Sequence, residues 1–585
     1  MLQQSSRAVH YSLILGAALL LFFWGLGEAS LWDVDEGRNA TAALEMMHSG
    51  DYIVPKYNGE LRDHKPVLLY WIQIAAYSIF GTNEFGARFP SALSALLTLI
   101  VCYELARAMF SPASGLASAM VVATSPMIIG GARFANPDSL LTAFSTLVML
   151  VYWRGYRQPT RPWYFLLGAV SGLAMMAKGP VGVVLPGGIA FIHSWMEGRW
   201  RLWFDRRILW NVLAFTLVGL TWYIWVAALT HADFLRGFFL THNVNRFFSP
   251  RDEHGGTLLF YILVLFIGMI PWSVYFGPAL WYGFWSAIRD PWPKHAERWD
   301  FAVDRTAPGE ASAYRLLMTW AVFYFVFYSI AATKLPNYML PAAAPLGILI
   351  GRYLDRWRLN ELPSSVACMR RALIAQAASA IAFAVAMSLL GGMGKLAALE
   401  RWIVPGLERW LWIVVLPPIA IVVLWPLLAT NRTRALEVKV ASALAFFGPI
   451  GGLLVGSFDA LKPAEPLVMK SGAGDTSKEL AIYAYRMDHL ASLNFYLQRP
   501  VRHLDAHFFH LKTEEECNAG AAQKLKQILA APMPVCVFLP AHFWDEFRKT
   551  NPGLGQEAAR HRDMYKRSDG VAVMNDAANQ QFAAR

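Results

Sequence analysis

The chain has 585 residues, 56% of them hydrophobic and only 16% charged, with 23 tryptophans, whereas an ordinary globular domain carries about 25% charge. This composition excludes a soluble globular enzyme and indicates a polytopic membrane protein. The net charge of +11 does not imply nucleic acid as a partner, because the basic residues are scattered through short connections between apolar runs, where they set orientation.

Residues 1–10 form a short basic leader, and the apolar run behind them ends without a small-residue cleavage site, which predicts an uncleaved first span. Apolar runs then predict thirteen membrane-spanning helices, near 9–29, 88–106, 113–130, 138–153, 163–178, 181–196, 208–229, 257–286, 314–332, 337–354, 372–393, 409–429 and 438–457. The stretch "PVLLYWIQIAAYSIFG", residues 66–81, is too short for a crossing and predicts an interfacial or re-entrant helix. With the N-terminus inside, arginines and lysines collect in five successive inner loops, around residues 154–161, 199–207, 289–305, 352–371 and 432–439. Counting 66–81 as a full span would turn most of these clusters outward. The odd number of spans leaves everything after about residue 460 outside the cytoplasm.

The expected architecture is therefore an α-helical polytopic membrane protein. It has a membrane domain over residues 1–460, a first outer loop at 33–81, and a small extracytoplasmic α/β domain over 461–585, where short apolar runs alternate with amphipathic stretches. Cys102, Cys368, Cys517 and Cys536 show no metal-ligand spacing; Cys517 and Cys536 could pair if the tail lies in an oxidising compartment.

Orientation accounts for the inner cations but not for those outside. In the first outer loop Asp33 reads as a helix N-cap with Glu36 as its capping-box partner, and Ala40, Ala43, Leu44 and Met47 make an apolar stripe ending before Gly50. This predicts a helix lying on the membrane, with Asp35 and Arg38 on one face, able to pair or to grip a ligand together. Lys65 precedes Pro66 and reads as a snorkelling anchor or a phosphate contact. Lys178, Arg246 and Lys334 also stand near outer span ends, and several cations at one depth suit an anionic lipid head group. Asp138 follows Pro137 and reads as an N-cap or a site residue. His242 and His254 read as polar surface or substrate-facing groups; no cofactor is firmly called, and a divalent metal stays open.

The motifs "DVDEGRNATAALEMMHSGDYIVPKYNG", "HKPVLLYW", "FGTNEFGARFPSAL", "FANPDSLLTAF", "AKGP", "THNVNRF", "GMIPW" and "TKLPNY" resemble the bacterial lipid A aminoarabinose transferases. These belong among the polyprenyl-phosphate-sugar-dependent glycosyltransferases of GT-C fold, and the same motif order is similar, more loosely, to protein O-mannosyltransferases. The resemblance covers roughly residues 8–350 and implies sugar transfer from an undecaprenyl-type phosphate at the periplasmic face of the inner membrane. The foremost case is 4-amino-4-deoxy-L-arabinose moved to a lipid A phosphate, by a chain expected to be a monomer.

It also implies that Asp35 of the "DE" pair meets the acceptor, that Lys65 of the "KP" pair meets the lipid phosphate, and that Asp138 and Arg246 belong to the same site. Tyr338 joins them through the "KLPxY" signal. The chain departs from the family at Asn39, where the family carries tyrosine, and at Asp63-His64, where it carries an aromatic-acidic pair.

The chemistry of these residue types agrees. Fixed cations stabilise the charge developing on a leaving phosphate, and a carboxylate opposite it can take the proton of an acceptor hydroxyl; a phosphate acceptor needs orientation instead. Transfer to protein or to another envelope glycan is the alternative within the enzyme class. A lipid-linked sugar flippase is the alternative outside it, although transporters place ionisable residues near the midplane and here they gather at one face.

Overall fold

Helices dominate the chain up to residue 358 because a backbone in apolar surroundings must satisfy its own hydrogen bonds. The computed structural model describes residues 7–249, 256–257, 259–288, 309–362, 371, 374, 378, 431–449, 462–487, 489–504, 514–562 and 569–582. The helices begin with α1 (Arg7–Ala18), α2 (Asp35–Ser49), α3 (Leu68–Phe80), α4 (Glu84–Met109), α5 (Pro112–Ala123), α6 (Pro126–Ala132), α7 (Asp138–Gly155), α8 (Arg161–Lys178) and α9 (Val181–Met196). Local chemistry starts several of them: the side chains of Asn83, Ser111 and Thr160 each accept from a backbone N–H of the first turn, and proline follows in the first turn of α5 and α8.

Among the described residues three helical stretches are long and apolar enough to cross a membrane: Glu84–Met109, Ile208–Leu229 and Glu310–Ile330. The number rises to five when two bent pairs are each taken as one span. Among the described residues, length and composition alone thus select fewer spans than the thirteen expected from the whole sequence. The difference has a local cause, since α5 and α6 break by 68° and Phe260–Gly268 breaks from Ser273–Ile288 by 117°, with Pro126 and Pro271 at the breaks. Of the expected span 372–393 only residues 374 and 378 are described, and the expected span 409–429 lies outside the described residues. Helix α3, at thirteen residues, reaches about 20 Å at 1.5 Å per residue and falls short of a hydrocarbon core of about 30 Å.

The stripe on α2 forms, but it does not face lipid. Ala40, Ala43 and Leu44 are buried together with Val67, Tyr70, Phe234, Phe238 and Phe495, with Met47 at the margin. Two short strands, β1 (Lys56–Tyr57) and β2 (Glu60–Leu61), pair as a hairpin in the loop that follows.

Toward the C-terminus the strands are β3 (Ala481–Ala484), β4 (Val501–His503), β5 (Val535–Pro540), β6 (Gln556–Arg562) and β7 (Asp569–Met574). They form one sheet in the order β4-β3-β5-β7-β6. Strand β3 runs parallel to β4 and β5, while β7 runs antiparallel to β5 and β6. Every residue of β5 is buried, because Cys536 and Phe538 pack into one hydrophobic cluster and Val535, Val537 and Leu539 into another on the opposite face. Cys536 is a free thiol, so the pairing with Cys517 is not formed; the Cys517 side chain lies outside the described residues.

This sheet segment touches the first loop directly. Asn58 donates to Val501 O (2.7 Å) and accepts from Asn494 (3.0 Å) and Val501 N (3.0 Å). The Tyr496 hydroxyl donates to Glu84 (2.9 Å) and accepts from Leu31 N (2.7 Å).

Candidate active site

Four charges open α2, and the fold separates their tasks. The helix begins at Asp35, with Val34 in the capping position at φ 71°, so Asp33 is not its N-cap. Asp33 instead turns to the C-terminal segment, where its Oδ1 accepts from Ser492 N at 3.0 Å and from the Ser492 hydroxyl. Glu36, 0% exposed, accepts from Trp32 N (2.8 Å), Ala135 N (2.6 Å), Arg88 Nε (3.0 Å) and Arg88 Nη2 (2.8 Å). Both its oxygens are used, which corrects the expected substrate contact: Glu36 holds the loop to α4 and to the approach to α7. Asp35 alone is exposed, and its carboxylate makes no hydrogen bond or ion pair among the described residues. The expected Asp35–Arg38 pair does not form, and Arg38 lies 5.9 Å over the Tyr57 ring.

A second group assembles around His64. Its ring packs on that of His242, centroids 3.8 Å apart. Asp63 Oδ1 lies 3.1 Å from His64 Nδ1 and 3.2 Å from His242 Nε2. The His64 side chain is 42% exposed, yet desolvation of its ring, then His242, then the charges of Arg62, Lys65 and Arg38 lower its pKa to about 2, so the imidazole is neutral beside three cations. Arg62 is itself buried, bound to Tyr70 (2.9 Å) and to Asn39 (2.8 Å), and Asn39 donates onward to Ala135 O (2.9 Å). His242 sits on a wide-turn helix, Arg236–Val244, brought close by Gly237, where any β-carbon would overlap the Asp63 carboxylate. The ligand atoms of Asp63, His64 and His242 lie within 4.8 Å of one another, and two imidazoles with one carboxylate are donors suited to a divalent transition ion.

A third group joins α7 to α8. Asp138 is buried and ion-paired with Lys178, while its other oxygen accepts from Asn337 at 2.8 Å. The Lys178 ammonium lies 4.9 Å over the Tyr338 ring. The N-cap reading of Asp138 fails, since Pro137 holds the capping position. Leu69 of α3 packs with Leu140 and Ala177, so the loop carrying Lys65 and the Asp138–Lys178 pair share one end of the helical bundle.

Lys334 does not join them. It is 7% exposed and donates to the carbonyls of Ser329 (2.9 Å) and Ala331 (2.8 Å), closing the C-terminal end of Glu310–Ile330, where a cation is favoured. These bonds give Lys334 a capping role in the folded chain. Arg246 begins the turn after His242 on the short helix Asn245–Phe248; its side chain, and His254, lie outside the described residues.

Sequence reasoning passed over Asp63 and His64, which it met only as departures from the family pattern, and Arg88, which reads as an ordinary residue at the start of a span. It also gave no hint of Ser492. For the first two the departure itself was the signal, because a histidine beside an aspartate supplies two potential ligands next to Lys65.

Known proteins provide the remaining observations. A family model described as dolichyl-phosphate-mannose-protein mannosyltransferase matches residues 64–225. An undecaprenyl phosphate-alpha-4-amino-4-deoxy-L-arabinose arabinosyl transferase of Pseudomonas aeruginosa is 31% identical over 362 residues, 61% of this chain and 62% of that one. An uncharacterized protein of Aquifex aeolicus is 33% identical over 344 residues, 58% of this chain and 72% of its own length. The chain spans less than two thirds of the length of the first curated relatives it matches, 65%, 56% and 62%. Among solved structures, ArnT from Cupriavidus metallidurans bound to undecaprenyl phosphate superposes with a TM-score of 0.75 at 24% identity, covering 98% of this chain and 99% of that one. Over the matched part the chain is similar in sequence to the arabinosyl transferase and to the Aquifex protein, and over nearly its whole length it shares the fold of the Cupriavidus structure.

Proposed function

We propose that this chain transfers a sugar from a polyprenyl phosphate to an acceptor at the periplasmic face of the bacterial inner membrane. The preferred case is 4-amino-4-deoxy-L-arabinose moved from undecaprenyl phosphate, the donor named for its arabinosyl transferase relatives, to a lipid A phosphate, the acceptor implied by the motif resemblance. The observation that carries the reading is the gathering of Arg38, Lys65 and His242 around His64, on the loop that presents the exposed carboxylate of Asp35.

Each residue then has a task. Lys65 and Arg38 hold the donor phosphate and stabilise its charge as the glycosidic bond breaks. Lys178, kept in place by Asp138 and Asn337 over Tyr338, adds a third fixed cation, so Asp138 acts through Lys178 and not as a base. Arg246, on the short helix that follows His242, is assigned by the resemblance to the same phosphate. Asp35 takes the proton of an acceptor hydroxyl; an ionised phosphate acceptor is oriented by Arg38 and Lys65 instead. A divalent ion held by Asp63, His64 and His242 would add positive charge for the phosphate.

In this reading the protein is a multi-pass monomer with residues 1–460 as its membrane domain. The N-terminus is cytoplasmic, as the arginine-rich inner loops favour, and the sheet segment within 461–585 is periplasmic. Transfer to protein or another envelope glycan is the second reading, favoured by the mannosyltransferase match at 64–225. Purified chain, lipid-linked aminoarabinose and lipid A, followed by mass spectrometry, test the proposal. A mass gain on lipid A is expected; a gain only on peptide or glycan acceptors moves the function to the second reading, and no transfer to any acceptor overturns both.

A further inference from the structure

Strain stands immediately before Asp35. Val34 has φ 71° and ψ −77°, the values of a γ-turn with positive φ, a rare and strained conformation; a β-branched side chain at positive φ is an outlier. Such strain persists only where the surroundings over-determine it, and it collects at functional sites.

Two carboxylates supply that constraint, one on each side. After Val34, Glu36 is fixed by Arg88, Ala135 N and Trp32 N. Before it, Asp33 is fixed by the amide and hydroxyl of Ser492. Gly37 lets the Ser492 backbone approach α2, since a β-carbon there would lie 2.7 Å from Ser492 Cα. Neighbouring contacts seal the junction: Lys462 donates to Ser30 O at 2.6 Å, and Tyr57 donates to Ala491 O at 3.3 Å. The strained residue is thus held between the helical bundle and the C-terminal sheet segment, and the carboxylate it leaves exposed is Asp35.

We infer that Ser492, acting through Asp33, is a positioning residue: the C-terminal segment keeps Val34 in its strained turn and so presents Asp35 to the acceptor. This rests on the reading of Asp35 as the group that meets the acceptor. Burial of the α2 stripe alone does not require the turn, because Ala40, Ala43 and Leu44 pack on later turns of the helix. The device makes the site complete only when the C-terminal segment is docked.

The test compares purified Ser492→Ala, Val34→Gly with Ser492→Ala, and Asp35→Asn. Loss of the hydroxyl bond to a charged acceptor is expected to lower kcat about ten-fold with donor KM nearly unchanged. Hydrogen exchange should rise in residues 33–38 but not in 491–504. Glycine adopts positive φ without penalty, so Val34→Gly in the Ser492→Ala background is expected to recover most of the lost kcat; general undocking of the tail would not be rescued this way. Parental kcat and exchange in Ser492→Ala overturn the proposal, as does a loss that Val34→Gly leaves unrepaired. All three are assayed with a hydroxyl acceptor: parental turnover of Asp35→Asn there overturns the reading on which the proposal rests, whereas an impaired Asp35→Asn beside a fully active Ser492→Ala overturns the positioning alone.

Discussion

His64 and His242 lie ring against ring, 3.8 Å between centroids, and both direct a nitrogen at the same oxygen of Asp63. Desolvation of its ring and the nearby cations keep His64 neutral in the folded chain, with its pKa at about 2 against an ordinary value of 6.5. Between those values the unfolded chain binds a proton that the folded chain refuses. The His64 contribution to stability is therefore complete above pH 6.5 and is lost progressively as pH falls below it. Thermal unfolding in detergent at pH 7.5, 6.0 and 5.0 should show a falling Tm, and His64→Gln should flatten that part of the profile. Zinc added to metal-stripped protein at pH 7.5 should raise Tm in the parent and not in His242→Ala, because binding to the folded state alone stabilises it.

Glu36 and Arg88 form a two-bond ion pair with side chains 0% and 2% exposed. Leaving one partner of such a pair buried alone costs about 3–5 kcal/mol. Arg88→Met is expected to abolish a monodisperse folded peak in size-exclusion chromatography or to lower Tm steeply. Glu36→Gln, which keeps some of the bonds, should fall between that variant and the parent.

Asp35→Asn should behave oppositely. The exposed carboxylate supports no neighbour, so Tm stays at the parental value. If the acceptor presents a hydroxyl, transfer drops about 10²- to 10⁴-fold with donor KM nearly unchanged. With a phosphate acceptor the loss is far smaller, and Arg38→Ala becomes the more damaging change. Steady-state kinetics on the two variants with each acceptor class check this.

The lysines separate in the same way. Lys65→Ala should raise donor KM by about ten- to a hundred-fold, the worth of a hydrogen bond to a charged group, with little change in Tm. Lys334→Met should leave donor KM alone and lower Tm, because this cation closes a helix end and desolvation already lowers its pKa. Titration with undecaprenyl phosphate, read beside thermal melts, distinguishes them.

Sequence alone was enough wherever the physics is local. The apolar spacing of Ala40, Ala43 and Leu44 announced α2, and the shortness of the run from Pro66 to Gly81 announced a helix too short to cross, which forms as α3 over thirteen residues; a helix closes its own hydrogen bonds and advertises its buried face by its period. Motif order pointed to Asp35 and Lys65, and the fold puts Asp35 on the surface and Lys65 among the charges around His64.

The tertiary structure alone decided what each charge does. Asp33, Asp35 and Glu36 stand within four residues and look equivalent in sequence, yet one is claimed by Ser492, one by Arg88, and one is left exposed. Lys178 and Lys334 look alike at the ends of apolar runs, yet one meets Asp138 under Tyr338 and the other caps a helix. A carboxylate or an ammonium takes whichever partner lies within about 3 Å, and here those partners come from distant parts of the chain, so no local period or spacing records them. The same holds for the turn at Val34: its strain is set by groups on either side that only the folded chain brings together.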